Sequence, residues 1–354
     1  MGRSPGEIIQ ENVPLAGKTT IGLGGTARLF AMCRTAEELT GVLGHAKRYE
    51  LKFTILGGGS NVIFPDKGFD GLVIGIGLTG YQFEAESNGV LLSAAAGEEW
   101  DPLVSESVER GLAGIECLSG IPGLVGATPM QNVGAYGQEV AETIRSVEAI
   151  DLSSMNSVVF TGKECEFGYR QSRFKNKDKG GFVITRVKFL LKPDGPPALR
   201  YAELRKHVES RNPGSVTLAT VRETVLALRK GKSMVIDKSD PNTKSVGSFF
   251  MNPMISKATF SELQKRWNES GNQGSVPSFP EGKQVKIPAA WLVENSGFPK
   301  GFRKGRVGVS ANHALALVNY GGTTNELLSL ADEIRETVRR RFSVLLQIEP
   351  SIIS

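Results

Sequence analysis

The chain has 354 residues, of which 40% are hydrophobic and 22% charged, and it carries a net charge of +5. That length suffices for two or three domains with cores of their own, and the composition is ordinary for a soluble globular protein. It excludes a bilayer-spanning apolar run, and the three cysteines, Cys33, Cys117 and Cys165, are too few and too widely spaced for a disulfide framework or a zinc site.

These features point to a reducing cytoplasm. The opening stretch "MGRSPGEIIQENVP" has no apolar secretory core, so no export and no membrane are expected. The histidines His45, His207 and His313 are too scattered for a metal site, and no metal is expected. The positive balance suits anionic small molecules. Nucleic acid fits less well, because the basic runs Arg229 to Lys232, Lys300 to Arg306 and Arg339 to Arg341 lie apart and no aromatic stacking platform accompanies them. The last run sits on a predicted helix and reads as a solvated face.

In chain order, Thr35 with Glu38 three residues later predicts a capping box and a helix through "TAEELTGVLGHAKR". "FTIL" (Phe53 to Leu56) is a short strand running into Gly57, Gly58 and Gly59. "NVIF", "LVIGIG" (Leu72 to Gly77) and "GVLLSAAAG" (Gly89 to Gly97) are further strands, followed by a helix from Trp100 to Arg110. "SVEAIDL" (Ser146 to Leu152) and "FVITRVKFLL" (Phe182 to Leu191) alternate like strands. No clean βαβ repeat emerges, so the class is α+β. "KPDGPPAL" (Lys192 to Leu199) marks the main domain boundary. Helices follow at about Thr217 to Arg229 and Lys257 to Trp267, then a Gly/Pro/Ser-rich loop from Asn268 to Gly282. A long helix after Thr323 has Glu326 for a second capping box, with Leu327, Ala331, Ile334 and Val338 on one core face. There is no internal repeat.

Three glycine-rich stretches ask for an explanation. "GLGGTA" (Gly22 to Ala27) has the spacing of a dinucleotide fingerprint, but "RLFAMC" after it looks extended and residues Gly41 to Lys47 contain no acid, so that reading is rejected. "GGGSN" (Gly57 to Asn61) lacks the Lys-Ser/Thr of a phosphate-binding P-loop. A glycine turn after a strand still exposes backbone N–H groups that bind anions, with the Ser60 hydroxyl as an added donor. A tight turn without a ligand is the alternative. "LSGIPGLVGATPMQNVGAYGQEV" (Leu118 to Val140) is too long and too apolar for a solvent loop. It suits a large flat cofactor lying on small residues, the alternative being a buried irregular loop.

Four motifs, "ILGGGSNVIF", "GIPGLVGATPMQNVGAYG", "FGYRQSRFK" and "VGSFFMNP", stand in this order. Together they resemble the UDP-N-acetylenolpyruvoylglucosamine reductase (UDP-N-acetylmuramate dehydrogenase) family, flavoenzymes of peptidoglycan precursor synthesis, over nearly the whole chain from Asn12 to Glu349. The resemblance implies a vanillyl-alcohol-oxidase (PCMH)-type FAD-binding domain at 15–195 made of two α+β lobes that split near 80–90. It implies a tyrosine-loop linker at 196–214, a substrate-binding domain at 215–345 and a tail at 346–354 carrying a catalytic Glu.

It also implies non-covalent FAD. Its pyrophosphate would lie on Leu56, Gly57, Gly58, Gly59, Ser60 and Asn61. Its ring system would lie along Gly120, Ile121, Pro122, Gly123, Gly126, Ala127, Gln131, Asn132, Gly134, Ala135, Tyr136 and Gly137, with Ile184 adding a contact. A valine at Gly58 would be expected to exclude the phosphate. The implied reductant is NADPH and the implied partner is UDP-N-acetylglucosamine enolpyruvate, bound by a monomer through Tyr169, Tyr201, Lys232, Asn252 and His313. Tyr201, in "ALRYAEL", matches the tyrosine of the loop-bearing class.

The implied catalytic residues are Arg170 of "FGYR", Ser248 of "GSFF" and Glu349, seven positions after the aromatic Phe342. In that scheme hydride reaches C3 of the enol, Ser248 protonates C2, and Arg170 and Glu349 attend the adjacent carboxylate. The chain departs from the family pattern in three places. Met251 stands where relatives carry Lys, the turn around Lys304 and Arg306 is unusually basic, and the short tail after Glu349 is expected to anchor it weakly. Two rivals differ in class. One is another flavin oxidoreductase of the same fold acting on a sugar or alcohol; such enzymes often attach FAD through His or Cys, which both candidate flavin loops lack. The other is a non-catalytic flavin or nucleotide-binding module, against which the Arg170, Ser248 and Glu349 set argues.

Overall fold

The strand Phe182–Pro193 turns Val183, Ile184, Val187, Phe189 and Leu191 inward, and this run organises one sheet. In spatial order that sheet reads Ser157–Thr161, Ile144–Asp151, Phe182–Pro193, Gly89–Ala95 and Tyr81–Glu86, antiparallel throughout. The computed structural model describes residues 3–211 and 216–354. A second sheet is ordered Ile9–Pro14, Thr26–Cys33, Phe69–Ile76 and Phe53–Leu56. Its last two strands run parallel, from Phe53 opposite Leu72 to Leu56 opposite Gly75. The helix Ala36–Arg48 buries Leu39, Val42, Leu43 and Ala46 in the same core as Leu72 and Ile74. The two sheets part between Ile76 and Tyr81, slightly before the expected split near 80–90.

The expected capping box at Thr35 is half formed. The Thr35 hydroxyl accepts the Glu38 amide at 3.2 Å, but the Glu38 carboxylate turns away. It accepts the Arg3 guanidinium at 3.0 Å and the Arg34 amide at 2.8 Å, and these bonds hold its pKa down to about 2. A distant cation outcompetes the local amide, which short-range patterning cannot foresee.

The chain divides into two compact units, the first ending at Gly231 and the second running from Lys232 to Ser354. The second also takes Pro14–Thr26 and Ser60–Phe69. This departs from the boundary expected near residue 195. The helices Ala202–Arg211 and Leu218–Gly231 belong to the first unit because Leu204, Val208, Val221 and Val225 pack with Cys117. The expected linker is therefore partly helical; its residues 212–214, and the first residue of the expected substrate domain, 215, lie outside the described residues.

The second unit is built on an antiparallel sheet ordered Ser245–Ser248, Ala316–Asn319, Val307–Val309 and Arg303–Lys304. The helix Thr324–Phe342 carries the full capping box: the Thr323 hydroxyl accepts the Glu326 amide at 3.1 Å and Glu326 accepts the Thr323 amide at 2.8 Å. It buries Leu327, Leu330, Ala331, Ile334, Val338 and Phe342, while Arg339, Arg340 and Arg341 stay exposed. The Gly/Pro/Ser-rich segment contains a strand, Phe279–Glu281, paired with Gln284–Lys286. In "GLGGTA", a side chain at Gly25 would meet the Asp66 carbonyl at 2.2 Å, so packing explains that glycine. Among the described residues no helix is long and apolar enough to cross a membrane and no metal-ligand cluster occurs. The three cysteines are buried, and desolvation pushes their thiols up to about 12.

Candidate active site

The glycine turn after Phe53–Leu56 divides into three cases. Gly59 has φ +68°, a conformation that excludes most side chains. Gly58 packs on the second glycine stretch, since a Cβ there would lie 3.0 Å from the Gly123 Cα. Gly57 has neither reason: a Cβ there would meet only Leu124, at 3.9 Å. Its bare surface is a cradle that a side chain would fill, and it fits the pyrophosphate of a dinucleotide cofactor. Leu56 before it is buried in the strand.

The stretch Leu118 to Val140 is held from behind. The Trp100 amide donates to Gly123 O at 3.0 Å, and the Gly126 amide to Ala96 O at 2.9 Å. Asp101 accepts the Gly120 amide at 2.5 Å and a bidentate Arg222 guanidinium at 2.6 and 3.0 Å. Burial acts to raise the Asp101 pKa, but the Arg222 fork and the Gly120 amide outweigh it and hold it below the usual carboxylate range. Gly126 is bare because a Cβ there would lie 2.6 Å from the Ala96 Cβ. Ile121, Pro122, Gly123, Leu124, Gln131, Ala135 and Tyr136 stay half-buried, and Ala127 and Gly137 are exposed. An apolar ledge left partly open suits a flat ring system better than a closed structural loop does. Ile184, by contrast, is buried in the central strand.

Arg170 grows from this ledge. Tyr169 and Arg170 form a two-residue turn closed by Gly168 and Gln171, whose amides and carbonyls bond reciprocally at 3.1 and 3.0 Å. Arg170 has φ +54°. Its guanidinium donates to Gly134 O at 2.6 Å and to Asn132 O at 3.4 Å, and it lies 5.5 Å from the centre of the Tyr169 ring. Asn132 and Tyr136 also have left-handed backbones, at φ +47° and +49°. Three such residues on one ledge are stored strain of the kind found at functional sites.

Asn132 plays a different part from the expected cofactor contact. Its amide donates to Glu139 at 2.6 Å and Gly168 O at 3.1 Å, and its carbonyl accepts the Ala141 amide at 3.1 Å, so its side chain pins the loop. Tyr201 stands edge-on to Tyr136, with ring centres 5.5 Å apart at 84°. Its segment is tied down at Ala198, whose amide donates to the buried Glu116 carboxylate at 2.8 Å and whose carbonyl accepts the Cys117 thiol at 3.2 Å. Burial raises the Tyr201 hydroxyl and pushes that of Tyr136 up to about 12, so both remain protonated donors.

In the second unit Ser248 ends the strand Ser245–Ser248, opposite Ala316. The next residue, Phe249, donates its amide to Leu315 O at 2.7 Å and accepts the Glu349 amide on its carbonyl at 2.9 Å. Phe250 pairs with Ile348, and Met251 donates its amide to Gln347 O at 2.9 Å. Ser248 and Glu349, 101 residues apart in number (349 minus 248), thus lie on adjacent antiparallel backbones. Asn252 accepts the Ala289 amide at 2.8 Å at the start of the helix Ala289–Glu294, which engages its acceptor oxygen. Lys232 and His313 are half-buried, and their neighbours meet where Asn312 donates to the Ser233 hydroxyl at 2.8 Å.

The C-terminal part of the chain, residues 240–353, matches the family model for the UDP-N-acetylenolpyruvoylglucosamine reductase C-terminal domain, and residues 27–154 match an FAD binding domain. Proteins named UDP-N-acetylenolpyruvoylglucosamine reductase are 44% identical in Thermobifida fusca, covering 97% of both chains, and 44% in Saccharopolyspora erythraea, covering 96% of this chain and 94% of the relative. The chain belongs to the UDP-N-acetylenolpyruvoylglucosamine reductase family. The crystal structure of a UDP-N-acetylenolpyruvylglucosamine reductase from Thermus caldophilus shares the fold, with a TM-score of 0.66 and 24% identity over 98% of this chain and all of that one. The α+β class stands with it, and the match over residues 27–154 gives the first part of the chain an FAD-binding domain.

Family membership brings FAD, and the residues present fit it. Gly57 is open, the ledge is apolar and half-exposed, and the Arg170 guanidinium is held on it by Gly134 O. Sequence reasoning passed over Asp101, Arg222 and Glu139, which hold the ledge from behind, and Asn242, which accepts from the Ala311 amide at 3.0 Å and the Tyr320 hydroxyl at 2.9 Å. The "WDP" start of a helix was the one local signal for Asp101.

Proposed function

We propose that this chain, as a cytoplasmic monomer, reduces UDP-N-acetylglucosamine enolpyruvate to UDP-N-acetylmuramate for cell-wall synthesis, with NADPH as the reductant. The observation that carries the reading is the Glu349 to Phe249 backbone bond, which sets the Glu beside the serine segment in a chain of this family.

FAD would be held on the glycine turn at Gly57 and along the ledge from Gly120 to Gly137, and when bound it would supply hydride chemistry between NADPH and C3 of the enolpyruvyl group. Charge then builds on C2 and the adjacent carboxylate. Arg170, held by the carbonyls of Gly134 and Asn132, balances that charge. Ser248 gives its hydroxyl proton to C2; a carbanion-like carbon is basic enough to take it from a positioned alcohol. Glu349 holds the substrate's carboxylate through a proton shared between the two carboxyl groups. Lys232 and Asn252 contact the nucleotide and its phosphates, and Tyr169 and His313 are further substrate contacts. The direct test is NADPH consumption that requires the enolpyruvyl sugar; oxidation at the same rate without the sugar contradicts the reading.

Tyr201 belongs to a loop that closes over the diphosphate. Tyr201→Phe keeps the ring against Tyr136 and removes the hydroxyl. A hydrogen bond to a charged group is worth roughly 1.5–3 kcal/mol, so the sugar nucleotide should bind more weakly by about that amount. Reduction of FAD by NADPH should be unchanged. Titration of the oxidised enzyme with UDP-N-acetylglucosamine enolpyruvate reads the affinity, and an unchanged value would mean that the tyrosine only packs.

A further inference from the structure

The C-terminal eight residues change partners at one point. On one side of Pro350, Gln347 and Glu349 pair with Met251 and Phe249, the segment that follows Ser248. On the other, the Ser351 amide donates to Asn61 O at 3.0 Å and the Ile353 amide to Ile63 O at 2.9 Å. Ser351–Ile352 and Val62–Ile63 form a parallel pair of strands. Pro350 is buried and has no N–H of its own to satisfy, which suits the crossing point. All these residues belong to the second unit.

The terminal strand contributes little to the core. Ser351 and Ile352 are both exposed, and Ile352 retains 44% of its surface. What it contributes is a backbone connection. Its partners are Asn61 itself and the two residues that follow, directly after the glycine turn. The weak anchoring expected of Glu349 is not what the structure shows: Glu349 itself bonds to Phe249 O, and Ser351 and Ile353 after it bond to Asn61 O and Ile63 O.

We propose that Pro350 to Ile353 is a positioning strap, which sets Glu349 against the serine segment and couples that setting to cofactor binding at Ser60 and Asn61. This rests on the catalytic reading of Glu349 above and on the FAD pyrophosphate lying over the glycine turn from Gly57 to Asn61. Displacing a catalytic group by roughly 1 Å can cost on the order of 10²-fold in rate, so a frayed strap affects the step that uses Glu349. The coupling is reciprocal: a strap that holds Asn61 in place supports FAD, and FAD bound there supports the strap.

Ser351→Pro removes the N–H that Asn61 O accepts, and Ser351→Ala keeps it. A chain ending at Pro350 removes the strap and keeps Glu349. Each is compared with wild type and with Glu349→Gln, at saturating FAD, by stopped-flow absorbance of the two half-reactions and by FAD titration. Ser351→Ala should behave as wild type. Ser351→Pro and the shortened chain should accept hydride from NADPH within about twofold of the wild-type rate, and reoxidise with the enolpyruvyl sugar at least about tenfold more slowly. In steady state they should lose kcat more than KM. Their FAD affinity should fall about fivefold or more, the low end of usual couplings.

Wild-type reoxidation in Ser351→Pro, or an equal loss in both half-reactions, overturns the strap. If Glu349→Gln is slow while Ser351→Pro is normal, the strap alone fails. If Glu349→Gln itself reoxidises normally, the catalytic reading of Glu349 fails, and the strap fails with it.

Discussion

Ser248→Ala should leave the reduction of FAD by NADPH close to the wild-type rate and slow reoxidation by the enolpyruvyl sugar by roughly 10²–10⁴-fold, the usual contribution of a positioned general acid. That is about 3–5 kcal/mol of barrier. The half-reactions separate because only the second needs a proton at C2. Ser248 ends a strand and is half-buried opposite Ala316, so alanine removes the hydroxyl without disturbing the register. Ser248→Cys restores a donor and should recover part of the loss. A Ser248→Ala enzyme that reoxidises at the wild-type rate would remove the serine from the mechanism. One that fails instead at NADPH reduction would mean that the serine serves the flavin or the nicotinamide.

Gly57→Val should give a folded, colourless protein. The valine side chain would occupy the space that we assign to the pyrophosphate, and beyond its chain neighbours the nearest atom to its Cβ position is Leu124 Cδ1 at 3.9 Å, so the fold tolerates the start of the side chain. Losing two hydrogen bonds to charged phosphate oxygens costs about 3–6 kcal/mol, roughly 10²–10⁴-fold in FAD affinity. Gly58→Val is the weaker test, because its Cβ would press on the Gly123 Cα at 3.0 Å and upset the packing of the two glycine stretches as well. The visible spectrum and the melting temperature of the purified variant report the outcome. A Gly57→Val protein that carries a full complement of FAD would contradict the placement of the pyrophosphate.

The elements with strong local signals were legible from the chain. Phe53–Leu56 is a strand at its expected bounds, and the Thr323–Glu326 capping box and the apolar face behind it are present. The readings that failed were decided by residues far away in sequence. Glu38 leaves its cap for Arg3, and the Pro/Gly punctuation near residue 195 does not divide the units because Glu116 and Cys117 hold Ala198. The site shows the same contrast. Arg170, Ser248 and Glu349, which we propose as the catalytic residues, stand out in the sequence because they sit in motifs or at a fixed distance from the last helix. Their tertiary supports, Gly134 O for Arg170 and Phe249 O for Glu349, could not be read there, nor could the Asp101–Arg222 pair behind Gly120. Two glycines that looked like ligand contacts have packing reasons, Gly58 against Gly123 and Gly126 against Ala96, whereas Gly57 has none. Motifs report which residues recur, and tertiary contacts report why each is small, charged or strained.

The central claim is that electrons pass from NADPH through bound FAD to the enol ether of a UDP-sugar. Its most direct measurement is the anaerobic visible spectrum of the purified protein, taken as isolated, after one equivalent of NADPH, and again after UDP-N-acetylglucosamine enolpyruvate. The account predicts an oxidised flavin spectrum that bleaches with NADPH and returns in full with the sugar, one UDP-N-acetylmuramate forming per flavin. A spectrum that bleaches and does not return with the sugar, or returns equally with UDP-N-acetylglucosamine, would contradict it.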